Sequence, residues 1–177
     1  MYVWATLAHV ATPLAAVGLS SLPNGAAAMA DLRQATGDRP GLYVFPSMQS
    51  SATGGAAKAA TKGNFGAQPH GLLAYAPSGA DGISPRQLVT EFALELIESI
   101  LLASVLTAAA FSGFGRRVGV AAAIGVIAGL ATNFSYWNWY GFTLDYAVAN
   151  AFTELMKFVF AGAAIAAFLG WRSRRAA

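Results

Sequence analysis

The chain has 177 residues, of which 56% are hydrophobic and 11% are charged, with a formal net charge of +3. Soluble globular domains usually carry about 25% charged residues, so this composition argues against one and indicates an integral membrane protein. The sequence contains no cysteine, which excludes disulfides and thiolate metal sites. It also has no Lys/Arg-rich stretch suited to nucleic acid.

The first segment, Tyr2 to Leu22, is almost uncharged and predicts a first transmembrane helix over residues 1–22. At about 1.5 Å per residue, a continuous helix of this length just crosses a hydrocarbon core of about 30 Å. Pro13 is expected to kink or break it. A cleaved signal peptide is the alternative, but a basic n-region and a clear A-x-A site are missing, which favours a retained helix.

Residues 23–87 have a different composition and predict a small extracytoplasmic insertion. Ala26 to Ala35 reads as a short amphipathic helix, and Gly41 to Pro46 and Gly71 to Pro77 read as strands of a hairpin. Between the strands, residues 48–68 are mostly Gly, Ala, Ser and Thr, which predicts a flexible loop.

Residues 88–177 predict three further transmembrane helices and a basic tail. The first begins after Ser84, a predicted N-cap with Gln87 at the capping-box position, and extends to Phe111. Val118 to Phe134 and Val148 to Trp171 are the other two. Small residues spaced four apart in these two helices predict close packing, since they let helix backbones approach in lipid. They are Gly125, Gly129, Gly162 and Ala166.

Aromatic and basic residues predict the topology. A loop of aromatic residues after Phe134, together with the aromatic residue at the end of the last span, is typical of a membrane interface. The predicted anchors are Trp137, Trp139, Tyr140, Tyr146 and Trp171. Arginines follow the second and fourth spans, which places both on one side of the membrane, and by the positive-inside rule this side is cytoplasmic. The expected fold is therefore an all-α membrane protein of four transmembrane helices with a cytoplasmic C-terminus.

Ionisable residues inside the apolar segments predict one polar layer. Counted from the outer boundary, Glu95 and Glu154 lie about 10 Å deep, and His9, Glu98 and Lys157 lie about 15 Å deep. A low-dielectric site does not hold two net negative charges, so we expect Lys157 to pair with Glu98 or Glu154 and another carboxyl to carry a proton. The layer is either a structural ion pair that fixes helix register or a functional site, such as a proton path, a metal site or a ligand site.

Motifs for recognised chemistry are not apparent. A di-metal carboxylate bundle needs Glu-x-x-His, which precedes neither histidine, and the nucleophile elbow G-x-S-x-G is missing. We therefore expect no catalytic residue, no metal and no cofactor, and the chain is more readily interpreted as a non-enzyme.

The motifs LYVFP and WNWYGF-x-x-DY, at Leu42–Pro46 and Trp137–Tyr146, occur with a glutamate-bearing helix. This combination resembles a family of small, uncharacterised bacterial polytopic inner-membrane proteins. The resemblance covers most of the chain, implies the architecture and carries over no catalytic residue.

Two functions from different classes are consistent with these features. The first is an accessory or assembly subunit of a larger membrane complex, possibly respiratory or photosynthetic, with the bilayer and other membrane subunits or a second copy as partners. The second is a small proton-coupled transporter that uses the Glu/Lys layer. A membrane-embedded enzyme with His9 and a glutamate as acid and base is a third.

Overall fold

The computed structural model describes residues 1–46, 68–77, 84–109, 111 and 113–176, and most of these residues are helical. The chain forms two compact units, one of Met1–Leu19 with Ile83–Ala177 and one of Ser20–Gly82. Except for Gln68, the loop predicted over residues 48–68 lies outside the described residues.

The smaller unit contains a helix and a two-stranded sheet. Helix α2 (Gly25–Thr36) ends at Gly37, whose φ of 62° is the left-handed conformation that glycine adopts readily. Strands β1 (Gly41–Phe45) and β2 (Gly71–Tyr75) pair antiparallel. The helix and the hairpin that were predicted from the sequence are therefore confirmed.

In the larger unit the first segment is not one continuous helix. Helix α1 ends at Val10 after starting at Tyr2, and a short 3-10 helix follows at Pro13–Ala16. The break occurs because Pro13 lacks an N–H, and Thr12 Oγ1 accepts a hydrogen bond from Leu14 N and so starts a new turn. At about 1.5 Å per residue, α1 is only about 13 Å long, so the helix expected over residues 1–22 does not form.

Helix α3 (Pro85–Ala108) begins as the sequence predicts. The Ser84 side chain accepts from Gln87 N, and the Gln87 side chain accepts from Ser84 N, which is a complete capping box. Among the described residues of α3, only Glu95, Leu102 and Leu106 are buried. The helix is long enough to cross a membrane, but its three glutamates lower its apolar character.

The next helical stretch runs from Phe114 to Tyr140 and contains a π-helical segment. Helix α4 (Phe114–Gly129) leads into the π-helix Leu130–Phe134, and α5 (Ser135–Tyr140) follows directly. The aromatic residues expected in a loop are therefore mostly helical, and the turn comes at Gly141, whose φ is 73°. Helix α6 (Leu144–Ala176) completes the unit.

Two helices in the described part of the chain are long and apolar enough to cross a membrane, Phe114–Tyr140 and Leu144–Arg175. Only 22% and 28% of their most apolar windows is buried inside the structure, whereas the core helix of a soluble protein is mostly buried. The structure thus supports a predominantly helical fold with two membrane-capable helices, and the expected four transmembrane helices are not supported.

Small residues hold α4 and α6 together. A Cβ added at Gly129 would lie 3.1 Å from Ala151 Cα, and one at Gly125 would lie 3.0 Å from Leu155 Cα. Gly162 lies against Ala121 in the same way, and Ala166 is 2% exposed. The backbones therefore touch along the interface, as small-residue stripes allow.

Candidate functional site

A buried lysine surrounded by three carboxylates is the main polar feature of the larger unit. Lys157 Nζ lies 2.9 Å from Glu154 Oε2, 3.0 Å from Glu98 Oε2 and 3.3 Å from Glu95 Oε1. An ammonium group has three N–H donors, so each carboxylate has one available to it. We call these four residues the Lys157 cluster.

Helix geometry positions the Lys157 cluster. Glu95 and Glu98 are three residues apart on α3, and Glu154 and Lys157 are three residues apart on α6, so each pair shares a helix face. The two faces meet above the apolar core, where Leu102 and Leu106 of α3 pack with Phe158 of α6. This packing fixes the separation of α3 and α6 at the level of the ion pairs.

The members of the cluster differ in exposure. The side chains of Lys157 and Glu95 are only 7% and 4% exposed, whereas those of Glu154 and Glu98 are 32% and 41% exposed. Glu95 Oε2 is buried and accepts no hydrogen bond from any residue that the structure describes. Three carboxylates against one ammonium leave two negative charges if all are ionised, so the cluster attracts a proton or another cation.

A cavity of about 300 Å³ adjoins the exposed side of the cluster. Glu98 and Glu154 line it together with Thr132, Asn133 and Asn150. The Asn133 side chain is on the π-helical segment, is 8% exposed and forms no hydrogen bond with any described residue. Asn150 Nδ2 donates to Tyr146 O, which leaves its amide oxygen as an acceptor. Ala128 and Phe158 complete the described lining, so the cavity has an apolar part as well as its carboxylates, hydroxyl and amides.

Sequence reasoning did not find Thr132, Asn133 or Asn150. A signal was present, because an amide side chain within an apolar helix is unusual in the same way as a carboxylate. The π-helical turn, however, shifts the face on which Asn133 lies, and it has no signature in the sequence LATNF.

His9, which was predicted in the same polar layer, does not join the cluster. Its side chain is exposed, Nδ1 pairs with Ala5 O on its own helix, and none of the ion pairs between described residues includes it. The predicted depth of His9 was counted from Leu19 along one continuous helix. That count fails because α1 ends at Val10, the residue after His9, and residues 11–19 are not α-helical. Trp4, by contrast, contacts α6, with Nε1 donating to Thr153 O at 3.0 Å.

The predicted anchors lie at or near the ends of α5 and α6 and are at least partly exposed. Trp139 is 75% exposed, and Trp137, Tyr140 and Trp171 are between 43% and 48% exposed, while Tyr146 is partly buried against Phe142.

The described ranges contain no group of three or more His, Cys, Asp or Glu side chains that could hold a metal ion.

No protein-family model, curated protein or solved structure matches the chain. The class of the protein therefore follows from its own structure alone: a predominantly helical protein with two membrane-capable helices and a buried Glu/Lys cluster.

Proposed function

We propose that the chain is an integral membrane protein that acts as an accessory or assembly subunit of a larger membrane complex. The observation that carries this proposal is the incomplete coverage of Glu98. Its side chain is 41% exposed on a helix whose exposed surface is otherwise rich in large apolar residues. A carboxylate inside a bilayer is tolerated only against protein, water or a counter-charge. A partner subunit packed on this face of α3 would supply the missing cover.

Two observations support the membrane embedding itself. Two helices are long and apolar enough to cross, and both are mostly exposed. The first segment follows α6 closely: the Trp4 ring packs edge-on against Phe160, and Gly18 O accepts a hydrogen bond from Thr143 Oγ1. Thr143 immediately precedes α6, so at about 1.5 Å per residue these two contacts are about 25 Å apart along the helix axis. We propose that α3 and this first segment also cross the bilayer. With the two longer helices they would make four membrane-embedded segments.

The proposed topology is that of a multi-pass protein of the bacterial inner membrane with a cytoplasmic C-terminus and residues 23–87 outside. Arg117 and Arg174 line the same cavity, so the basic start of α4 and the basic end of α6 lie together, and the positive-inside rule assigns that end to the cytoplasm. Membership in the family of small inner-membrane proteins that the LYVFP and WNWYGF-x-x-DY motifs resemble is part of this proposal.

Tryptophan substitutions on two faces of α3 test the subunit proposal. Leu101 lies on the face of Glu98 and Leu96 on the opposite face, and they are 61% and 49% exposed. Leu101→Trp should remove the chain from its complex in native electrophoresis after extraction in mild detergent, whereas Leu96→Trp should not. Migration of the unmodified chain at the mass of one chain in its detergent micelle would contradict the proposal.

A proton-coupled transporter is the second candidate, and the cavity beside Glu98 and Glu154 favours it. The unpartnered Asn133 amide and the excess negative charge make that cavity suited to a proton with its hydrating water. A pH-dependent flux in proteoliposomes that is lost in Glu98→Gln and kept in Glu91→Gln would support this function. Glu91 is the matched control because it is exposed on the same helix and lies outside the cluster.

A further inference from the structure

A second cavity, of about 560 Å³, lies between the start of α4 and the end of α6. Its lining includes two arginines, a serine, two glycines and a phenylalanine: Arg117, Arg174, Ser173, Gly113, Gly170 and Phe114. We call it the arginine cavity. Its described lining residues include no Asp or Glu, in contrast to the cavity beside the Lys157 cluster.

Neither arginine of this cavity has a counter-charge among the residues that the structure describes. Arg117 Nε is buried and donates to no acceptor in the described part of the chain, although the side chain as a whole is partly exposed. The guanidinium of Arg174 is close to Gly170, where an added Cβ would lie 3.9 Å from Nη1. The ion pairs between described residues include neither arginine. A buried guanidinium N–H without an acceptor is unfavourable, so this cavity favours an anion.

The backbone of α4 adds to the same preference. This helix has 16 residues, and its N-cap, Gly113, provides no side-chain hydrogen bond to the first turn. The N–H groups at such a helix start carry a partial positive charge and have no intrahelical acceptor. Gly113 and Phe114 line the cavity, so this end of the helix borders the same space as the two guanidinium groups.

We propose that the arginine cavity binds the phosphate group of an anionic phospholipid. Two guanidinium groups and an uncapped helix start match phosphate oxygens, and Arg is the side chain best suited to them. A volume of about 560 Å³ is larger than a phosphate ion needs and leaves room for the glycerol of a headgroup. The phosphate chemistry rests on the cavity alone, whereas the lipid as its source rests on the membrane embedding proposed above. Basic pockets between helices at the cytoplasmic side of a membrane bind anionic headgroups in this way.

The test measures binding to the purified full chain in a neutral detergent. Phosphatidylglycerol, phosphatidylcholine and inorganic phosphate are each titrated, and the midpoint of thermal unfolding reports binding. Phosphatidylglycerol should raise the midpoint more than phosphatidylcholine does. Arg117→Gln and Arg174→Gln should each weaken phosphatidylglycerol binding at least about tenfold, because each removes a charged hydrogen bond to phosphate.

Arg172→Gln is the matched control, since it removes the same charge from the same tail outside the cavity. Ala167→Leu is the second variant; it keeps all charges and fills the cavity from an exposed position, and it should also weaken binding. Equal weakening in all three arginine variants would show diffuse attraction to the basic tail and overturn the proposal. If inorganic phosphate raises the unfolding midpoint as much as phosphatidylglycerol does, the cavity binds phosphate, but the proposal that a lipid supplies it is overturned. If membrane embedding were wrong, phosphate binding would persist without any preference for lipid.

Discussion

Lys157 Nζ and Glu95 Oε1 lie 3.3 Å apart, and both side chains are more than nine-tenths buried. They come from different helices, so their ion pair fixes the register between α3 and α6. Glu95 Oε2 is buried and accepts no hydrogen bond from a described residue, and Glu95 is the least exposed of the three carboxylates, so it depends most on the lysine.

Removing only the lysine should therefore be more harmful than removing the pair. Lys157→Met leaves Glu95 without its counter-charge, and loss of one partner of a buried ion pair typically costs about 3–5 kcal/mol. Lys157→Met combined with Glu95→Gln neutralises the most buried carboxylate and leaves charge only on the partly exposed Glu98 and Glu154, so it should recover part of that loss. Unfolding in detergent followed by circular dichroism measures the difference; single and double variants that unfold at the same midpoint would contradict the pairing.

Replacing a glycine of α4 by alanine should lower stability on the face that contacts α6 and raise it on the exposed face. At Gly125 an added Cβ would lie 2.9 Å from Phe158 Cβ and 3.0 Å from Leu155 Cα, so Gly125→Ala forces α4 and α6 apart. Overpacking of this kind costs about 1–3 kcal/mol. At Gly119 nothing lies within 4 Å, so Gly119→Ala should stabilise the helix by up to about 1 kcal/mol. The same unfolding measurement compares them, and destabilisation by both variants would contradict the packing.

The hydrogen bond from Trp4 to α6 should contribute measurably to stability. Trp4→Phe keeps most of the ring contact with Phe160 and removes the Nε1 donor to Thr153 O, a net loss of about 1 kcal/mol. Trp139→Phe is the control, because Trp139 is 75% exposed and its Nε1 donates to no described residue. Equal unfolding midpoints for the two variants would show that the first segment does not dock on α6 as described.

The smaller unit should show a pH dependence at Asp38 and Tyr75. Tyr75 Oη donates to Asp38 Oδ1 at 2.7 Å, and this hydrogen bond, followed by that of Arg33, lowers the pKa of Asp38 below 3.8. The resulting stability is present above the unfolded pKa and is lost as pH falls through the lower, folded value. The same hydrogen bond raises the pKa of Tyr75 above 10.0, so its contribution is complete below that value and is lost as pH rises through the folded one.

Carbon-13 NMR titration of the Asp38 carboxyl measures this effect. Tyr75→Phe should bring the pKa of Asp38 closer to its ordinary value, and Arg33→Gln should do so by a smaller amount, because the Tyr75 hydrogen bond is the larger cause. A titration of Asp38 that is unchanged in Tyr75→Phe would contradict the hydrogen bond across the hairpin.

Local signals predicted the capped and paired elements well. The capping box of Ser84 and Gln87 depends on residue types three positions apart. The two strands depend on short runs of residues that favour strands, and both patterns can be read from the sequence. The placement of His9 failed because depth was counted along a helix that Pro13 and Thr12 interrupt. Asn133 was missed because the π-helical turn changes the angular position of every later residue, which a period of 3.6 residues does not reveal.

In the proposed membrane arrangement, α3 carries its carboxylates into the bilayer, where they meet Lys157. A nitroxide label at Ile97→Cys tests it most directly, since Ile97 lies between Glu95 and Glu98, is 54% exposed, and the chain has no other cysteine. In proteoliposomes, collisions with oxygen and with a water-soluble nickel chelate report the surroundings of the label. We expect oxygen to reach the label at position 97 more readily than the chelate does. We expect the reverse for a label that replaces Arg86, at the start of α3. Equal preference for the chelate at both positions would contradict the arrangement.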